Sequence, residues 1–273
     1  MRQPRNAQQI ADNPYNLPEP IIEDILNEGE LAILSAPYDS FKSYFSLEMA
    51  YSILTGEPFL NRFEVKNLGP VYFFELEIHR GVFDGRINNL KMTREQRENF
   101  WVDYDQFRFD GRYPGTLEQI IGIQKPKLII FDPLASFWIS GMRENDSAMV
   151  ATALRPLLEL RTTGTSFLIV HGDTKSEGEG GPVRARGSSE LLYRPDQRLF
   201  LDRLGSSGDM IDSARVTMRP RNGKSLRAFY VTLTEEKRLL YDDDETLPKI
   251  YMQKVQTSNN SVSTEAPRIR LQR

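Results

Sequence analysis

The chain has 273 residues, of which 39% are hydrophobic and 27% are charged, a composition that indicates a globular protein of one large or two small domains. A net charge of −3 excludes a protein that coats nucleic acid by bulk charge, although a local basic patch stays open. Cysteine is absent and histidine occurs twice, which excludes thiolate and multi-histidine metal sites and leaves carboxylate-bound Mg²⁺. With no apolar run near the ~20 residues of a membrane span and no secretory signal, we expect a cytoplasmic protein without membrane contact.

The polar, proline-containing segment 1–20 predicts a flexible N-terminal arm. In the folded region, 21–256, apolar runs predict buried strands, and apolar residues at helical spacing predict helices. The predicted strands are 31–34, 71–74, 128–131, 167–170 and 199–201, and the predicted helices are 44–54, 116–123 and 146–161. Pro156 predicts a kink or an early end in the last helix. Segment 257–273, rich in Ser, Thr, Asn and Arg, predicts a disordered tail.

Strands that are apolar throughout and separated by helices predict an α/β fold, with a mostly parallel sheet covered by helices on both faces. After residue 205 the pattern changes, because runs 214–218, 227–233 and 239–241 alternate in polarity and are joined by turn residues. These runs predict antiparallel hairpins at one edge of the sheet. Ligands bind at the carboxyl ends of parallel strands, so the residues that follow each strand are the candidate site.

The first strand leads into a turn that resembles the phosphate-binding pattern G-x-x-x-x-G-K-[ST] without its two glycines. Lys42 and Ser43 open the next helix, where a lysine neutralises phosphate charge and a hydroxyl holds Mg²⁺. Ala36 and Phe41 stand at the glycine positions, so an ordinary strand–turn–helix with an exposed lysine stays an alternative. The candidate nucleotide-binding residues are Ala36, Pro37, Tyr38, Asp39, Ser40, Phe41, Lys42 and Ser43.

Polar residues also follow the next three predicted strands. Glu75 and Glu77 could supply a general base that activates water, or they could be two solvated loop acids. Asp132 ends an apolar run, which is typical of a carboxylate next to Mg²⁺ but also of a loop cap before Pro133. His171 could sense a phosphate by hydrogen bonding, or it could be a satisfied loop histidine. Each signal is weak alone, but their common place at four strand ends predicts nucleotide binding.

With these residues the chain resembles the RecA-like P-loop ATPases of the DnaB/RepA hexameric replicative helicase type, from about residue 29 to residue 240. The motifs that carry the resemblance are Gly29-Glu30-Leu31, Ser40-Phe41-Lys42-Ser43, Tyr72-Phe73-Phe74-Glu75-Leu76-Glu77, Ile129-Ile130-Phe131-Asp132-Pro133-Leu134, Val170-His171 with Lys175, and Arg186-Gly187-Ser188-Ser189 leading to Asp196. Some members of this group carry an aromatic residue before the P-loop lysine, as Phe41 does here.

The resemblance implies ATP and Mg²⁺ as ligands and a role for each motif residue. Lys42 would bind the β- and γ-phosphates, and Ser43 and Asp132 would hold Mg²⁺. Glu77 would be the catalytic glutamate, with Glu75 as the nearby alternative. The strand-end sensor would be His171, and an arginine finger reaching the neighbouring subunit would be Arg186, with Arg184 and Lys175 as further candidates.

The resemblance also implies partners. Loop 139–147, which contains Met142 and Arg143, and the glycine-rich loop 176–186 would face the channel of a hexameric ring and contact single-stranded DNA through Arg143, Lys175 and Arg184. Loop 176–186 could instead be a disordered surface insertion. The basic residues of the hairpin region could bind nucleic acid or pair with nearby acids; they are Arg215, Arg219, Arg221, Lys224 and Arg227. A primase or origin-binding protein would be a separate chain.

Three functions therefore stay open from the sequence. The first is an ATP-hydrolysing motor on single-stranded DNA, a replicative helicase. The second is a RecA-fold ATPase switch that does not unwind DNA. The third is a degenerate nucleotide-binding structural subunit. The fold prediction common to all three is an α/β RecA-like, mostly parallel sheet with helices on both faces and antiparallel C-terminal hairpin strands.

Overall fold

The computed structural model describes residues 4–105, 107–172, 188–204, 212–222 and 226–242. Its helices are α1 (Ala7–Asp12), α2 (Lys42–Thr55), α3 (Arg80–Asn88), α4 (Arg94–Glu98), α5 (Tyr113–Gln124), α6 (Ser147–Leu160) and α7 (Glu190–Tyr193). Its strands are β1 (Pro20–Ile22), β2 (Leu26–Asn27), β3 (Leu31–Ala36), β4 (Val71–Glu75), β5 (Phe100–Asp103), β6 (Leu128–Asp132), β7 (Ser166–Gly172), β8 (Gln197–Arg203), β9 (Ser213–Pro220), β10 (Phe229–Leu233) and β11 (Leu239–Asp242). No helix among these residues is long and apolar enough to cross a bilayer.

A nine-stranded sheet in the order β11-β10-β9-β8-β3-β7-β6-β4-β5 forms the centre of the described chain. The six strands from β8 to β5 run parallel to their neighbours. Strands β9, β10 and β11 follow β8 in chain order, and each pairs antiparallel with the strand before it. Together they extend one edge of the sheet. The predicted α/β fold, with a mostly parallel sheet and antiparallel C-terminal strands, is therefore confirmed.

The sheet is buried on both faces because its central strands are apolar at nearly every position. Every residue of β3 is buried. Ala32 and Leu34 pack into one core together with Phe45 of α2, whereas Leu31 and Ile33 pack into a second core on the opposite face with α5 and α6. Each fully buried leucine or isoleucine contributes about 1.5–3 kcal/mol of transfer free energy. The two cores hold the strand ends, and with them the candidate site, in fixed positions.

Three features differ from the sequence-based expectations. α6 continues through Pro156 to Leu160, so the early end predicted there is wrong. Ala153, Leu154 and Leu157 of this helix are buried, and this packing offsets the hydrogen bond that proline cannot make. β5, α3 and α4 were not predicted. Within segment 1–20 the structure contains the capped helix α1, which the sequence pattern did not predict and which buries no side chain.

Candidate functional site

The four strands that carry the sequence-predicted residues, β3, β7, β6 and β4, are consecutive in the sheet and parallel. Glu75 and Asp132 are direct register partners at the ends of β4 and β6, and the Leu76 N–H donates to the Asp132 carbonyl oxygen at 3.0 Å. On the other side, Ser35 near the end of β3 pairs with His171 near the end of β7. The carboxyl edge of the sheet therefore brings the predicted residues into one region.

The loop between β3 and α2 takes a backbone shape that normally calls for glycine. Asp39 and Phe41 are both left-handed, with φ of 59° and 64°. Phe41 occupies the second glycine position of the phosphate-binding pattern, and its φ is one that glycine adopts without steric cost. In a residue with a side chain this conformation costs on the order of 1–3 kcal/mol. At the second glycine position the loop thus has a backbone conformation that glycine favours, although the residue there is Phe41.

Helix α2 begins at Lys42, directly after this loop, and Phe41 at its N-cap makes no side-chain capping hydrogen bond. The first backbone N–H groups of a helix have no intrahelical partner and favour anions. The Lys42 ammonium lies over the same loop, since its Nζ donates to the carbonyl oxygens of Ala36 at 3.2 Å and of Pro37 at 2.6 Å. Backbone amides and a cation are therefore combined at the end of β3.

Asp132 faces this loop from the end of β6. It is 2% exposed, and its carboxylate interacts with the Ser43 side chain. Burial raises the pKa of Asp132 to about 6, and the charge of Glu77 adds to the rise. The hydrogen bond from Ser43 and the positive charges of Lys42 and Arg86 oppose it. Ser43 and Asp132 are thus adjacent oxygen donors beside Lys42.

Glu75 and Glu77 differ sharply in their surroundings. Glu75 is 2% exposed, and its Oε1 accepts the backbone N–H groups of Glu77 at 2.9 Å and of Ile78 at 2.8 Å. Burial, followed by the charge of Asp132, raises the pKa of Glu75 to about 7. Glu77 is exposed at the mouth of the site. Glu75 therefore shapes the turn that presents Glu77, and Glu77 is the carboxylate that can reach a ligand.

Two buried carboxylate oxygens, Glu75 Oε2 and Asp132 Oδ2, have no hydrogen-bond partner in the described structure. A buried polar atom left unsatisfied costs about 1–3 kcal/mol, so such atoms are typical of a site whose ligand completes it. An open cleft of about 640 Å³ borders Glu75 and is lined by Arg80, Tyr104, Arg108 and Trp138 among others.

His171 is positioned differently from the other candidates. Side chains alternate along a strand, so His171 shares the face of Phe167 and Ile169, which pack in the core opposite α2. The ring is 1% exposed, and its Nδ1 lies 3.2 Å from Oε1 of Glu144. Glu144 belongs to loop 139–147, and its carbonyl oxygen accepts the Ser188 N–H at 2.8 Å. The histidine thus connects the strand end to that loop rather than to Lys42.

The structure describes only some of the residues that the sequence predicts to contact nucleic acid or to act as an arginine finger. Arg143 lies on loop 139–147 and is accessible to solvent. Lys175, Arg184 and Arg186 lie outside the described residues, so their predicted roles stay predictions.

Three arginine features of the structure were not singled out from the sequence as parts of the site. Arg86 of α3 stacks on Tyr44 of α2, with its guanidinium carbon 4.4 Å from the ring centroid, and its charge acts on Asp132. Arg203 at the end of β8 contacts the loop that precedes α2. The third feature is a cluster on β8 and β9. Burial and the charges of Arg219 and Arg221 lower the pKa of Arg198 there. No local sequence pattern reveals such an arginine, because the residues that it contacts are distant in sequence and are brought to it by the order of the strands in the sheet.

Replacement of Asp132 by asparagine is expected to stabilise the ligand-free protein at pH 8. The folded-state pKa of Asp132 lies above its ordinary value, so the folded carboxyl retains a proton that the unfolded chain releases, and stability falls as pH rises from about 4 through 6. The asparagine would remove this loss, raising the unfolding free energy at pH 8 by up to about 3 kcal/mol, with a smaller gain at pH 5. Urea denaturation at both pH values measures the difference.

The matched control is Asp110→Asn. Hydrogen bonds from the Arg112 backbone and side chain lower the pKa of Asp110, so this change should not stabilise the protein at pH 8. A loss of stability in Asp132→Asn at pH 8 would show that the contact with Ser43 outweighs the burial of the charge.

Comparison with known proteins assigns the chain to a family. The AAA domain family matches residues 4–178, more than half of the chain, and the chain belongs to that family. Its fold is similar to that of a KaiC-like protein from the hyperthermophilic archaeon Pyrococcus horikoshii OT3, with a TM-score of 0.58 and 13% identity over 81% of this chain and 93% of that chain. No curated protein matches the chain. Family and fold support a RecA-like P-loop ATPase and do not single out the DnaB/RepA helicase type.

Proposed function

We propose that this protein is an ATP-hydrolysing, RecA-like motor that acts on single-stranded DNA, as replicative helicases do. The observation that carries the proposal is the group formed by Lys42, Ser43 and Asp132 at the carboxyl edge of the sheet, under a loop whose Phe41 has a glycine-like backbone. This group offers backbone amides, a cation and oxygen donors at one point, which is what a triphosphate with its metal requires.

Mg²⁺ fits the residues that are present. In the described ranges no group of three or more His, Asp or Glu side chains could hold a metal by itself. Ser43 and Asp132 offer adjacent oxygens, and Asp132 Oδ2 is buried without a partner. A metal held by one or two protein oxygens plus phosphate oxygens is the usual arrangement for Mg²⁺ with a nucleotide. When bound there, Mg²⁺ would neutralise charge on the phosphates.

The remaining groups have roles in the same reaction. Glu77 is exposed beside Asp132 and would accept a proton from the attacking water, while Glu75 holds the turn through two backbone hydrogen bonds. Lys42 would leave the carbonyl oxygens of Ala36 and Pro37 to bind phosphate oxygens. His171 would transmit the state of the strand end to loop 139–147 through Glu144.

A DNA-linked motor is favoured over a switch by that last contact. His171 on β7 touches Glu144, and Glu144 lies next to Arg143, the basic residue that the resemblance places against single-stranded DNA. An arginine finger supplied by a neighbouring subunit, with Arg186 as the residue implied by the resemblance, would require a ring or a filament, and of these a hexameric ring is proposed. A separate primase or origin-binding protein is proposed as the partner that loads the ring.

The test is ATP turnover measured with and without single-stranded DNA, in the unchanged protein and in Lys42→Ala. We expect DNA to stimulate turnover severalfold, and Lys42→Ala to lower turnover by about 10²-fold, because one charged donor to the reacting phosphate is lost. Lys125→Ala is the matched control, since Lys125 caps α5 away from the site.

Each other outcome favours a different function. Turnover that DNA does not change would favour the non-unwinding switch. If the unchanged protein does not bind a fluorescent ATP analogue, the remaining function is that of a degenerate structural subunit.

A further inference from the structure

Arg203, the last residue of β8, contacts both left-handed residues of the loop that precedes α2. Its Nη1 donates to the Asp39 carbonyl oxygen at 3.1 Å, and its guanidinium carbon lies 4.5 Å from the centre of the Phe41 ring. Its Nη2 is 3.1 Å from Oδ1 of Asp212. One side chain therefore contacts Phe41, which stands at the second glycine position, and also the other left-handed residue of the loop, Asp39.

The geometry suits arginine in particular. A guanidinium is planar and carries donors along its edge, so it can stack on a ring and donate in its own plane at the same time. The Arg203 side chain is 18% exposed, which limits competition from water for the Asp39 carbonyl oxygen. A lysine ammonium has no flat face and no fork of donors, so it cannot stack on the Phe41 ring while donating in one plane to Asp39 and Asp212. Asp212 fixes the guanidinium from the far side.

We infer that Arg203 is a positioning residue that holds the glycine-less loop in its phosphate-binding conformation. The stack on Phe41 and the hydrogen bond to Asp39 favour the left-handed pair over the extended conformations that residues with side chains prefer. The effect of Arg203 on nucleotide binding rests on the proposed function, whereas its effect on the loop does not.

The experiment combines loop exchange with nucleotide binding in a set of variants. In Arg203→Ala, we expect hydrogen exchange of the amides in segment 39–43 to be about 10-fold faster without nucleotide, and the KM for ATP to rise about 10-fold, while kcat changes less than about twofold. Arg203→Lys should behave like Arg203→Ala. Arg62→Ala, which removes a guanidinium stacked on Tyr241 at 5.1 Å, is the matched control and should change neither quantity.

The decisive comparison is made in a Phe41→Gly background. Glycine takes a left-handed φ without cost, so Arg203→Ala should change segment 39–43 exchange and KM less than about threefold there. Equal effects of Arg203→Ala in the presence of Phe41 and in the Phe41→Gly background, or unchanged exchange of segment 39–43 in Arg203→Ala, would overturn the inference. If exchange responds as expected but the unchanged protein binds no ATP, the inference about the loop stands and the proposed function fails.

Discussion

Glu77→Gln is expected to bind ATP as tightly as the unchanged protein and to hydrolyse it about 10²–10⁴-fold more slowly. Glutamine matches glutamate in shape but cannot accept a proton from water, so only the chemical step should suffer. Glu77 is exposed at the mouth of the site, and its charge acts on Asp132. Single-turnover hydrolysis with Mg²⁺, together with the affinity for a fluorescent ATP analogue, separates the two effects.

Glu75→Gln is the matched control, because the two glutamates stand two residues apart and have opposite environments. The glutamine introduced there keeps an oxygen that can accept the N–H groups of Glu77 and Ile78, so turnover should fall less than about tenfold. The burial that raises the pKa of Glu75 to about 7 makes its ionised form costly, and Glu75→Gln should therefore stabilise the protein above pH 7 more than at pH 5. If Glu75→Gln loses turnover while Glu77→Gln keeps normal turnover, Glu75 is the catalytic glutamate and Glu77 is not.

The parts of the fold that sequence predicts well are those where burial leaves one choice. β3, β6 and β7 each contain a continuous run of four apolar residues, and such runs are typical of strands covered on both faces of a sheet. β5 escaped prediction because this edge strand is only four residues long and its side chains are largely half-exposed rather than buried. The continuation of α6 past Pro156 depends on tertiary packing that no local rule contains.

The candidate site shows the same division. The ends of the apolar runs could be located in the sequence, and in the structure Lys42, Ser43 and Asp132 lie close together at the ends of two of those strands. Whether a strand-end side chain lies on the same side of the sheet as α2 could not be predicted. His171 lies on the opposite side, and there it contacts Glu144. The absence of both glycines argued against a phosphate-binding turn at Phe41. The contact from Arg203 could not be predicted, because Arg203 lies on a strand far along the chain.

Arg186→Ala is expected to bind ATP normally and to lose about 10³–10⁵-fold in turnover, the contribution of an arginine finger supplied by a neighbouring subunit. It should also poison the unchanged protein when the two are mixed, because a defective subunit disables the site next to it. Arg221→Ala is the matched comparison. The charges of Arg219 and Arg221 lower the pKa of Arg198. No carboxylate among the residues that the structure describes lies within ion-pair distance of Arg219 or Arg221.

Mixing two inactive proteins separates a finger acting on a neighbour from one acting within its own subunit. When Arg186→Ala is mixed with Glu77→Gln, a subunit that keeps Glu77 can receive Arg186 from its neighbour, so about a quarter of the sites in a randomly mixed ring should work. A finger within the same subunit would leave the mixture inactive. Normal turnover in Arg186→Ala, with complementation between Arg221→Ala and Glu77→Gln instead, would place the finger on β9 and its turn. Rescue in either pair requires that a residue of one subunit reaches the site of the next, and so tests the assembly of subunits that the proposed function needs.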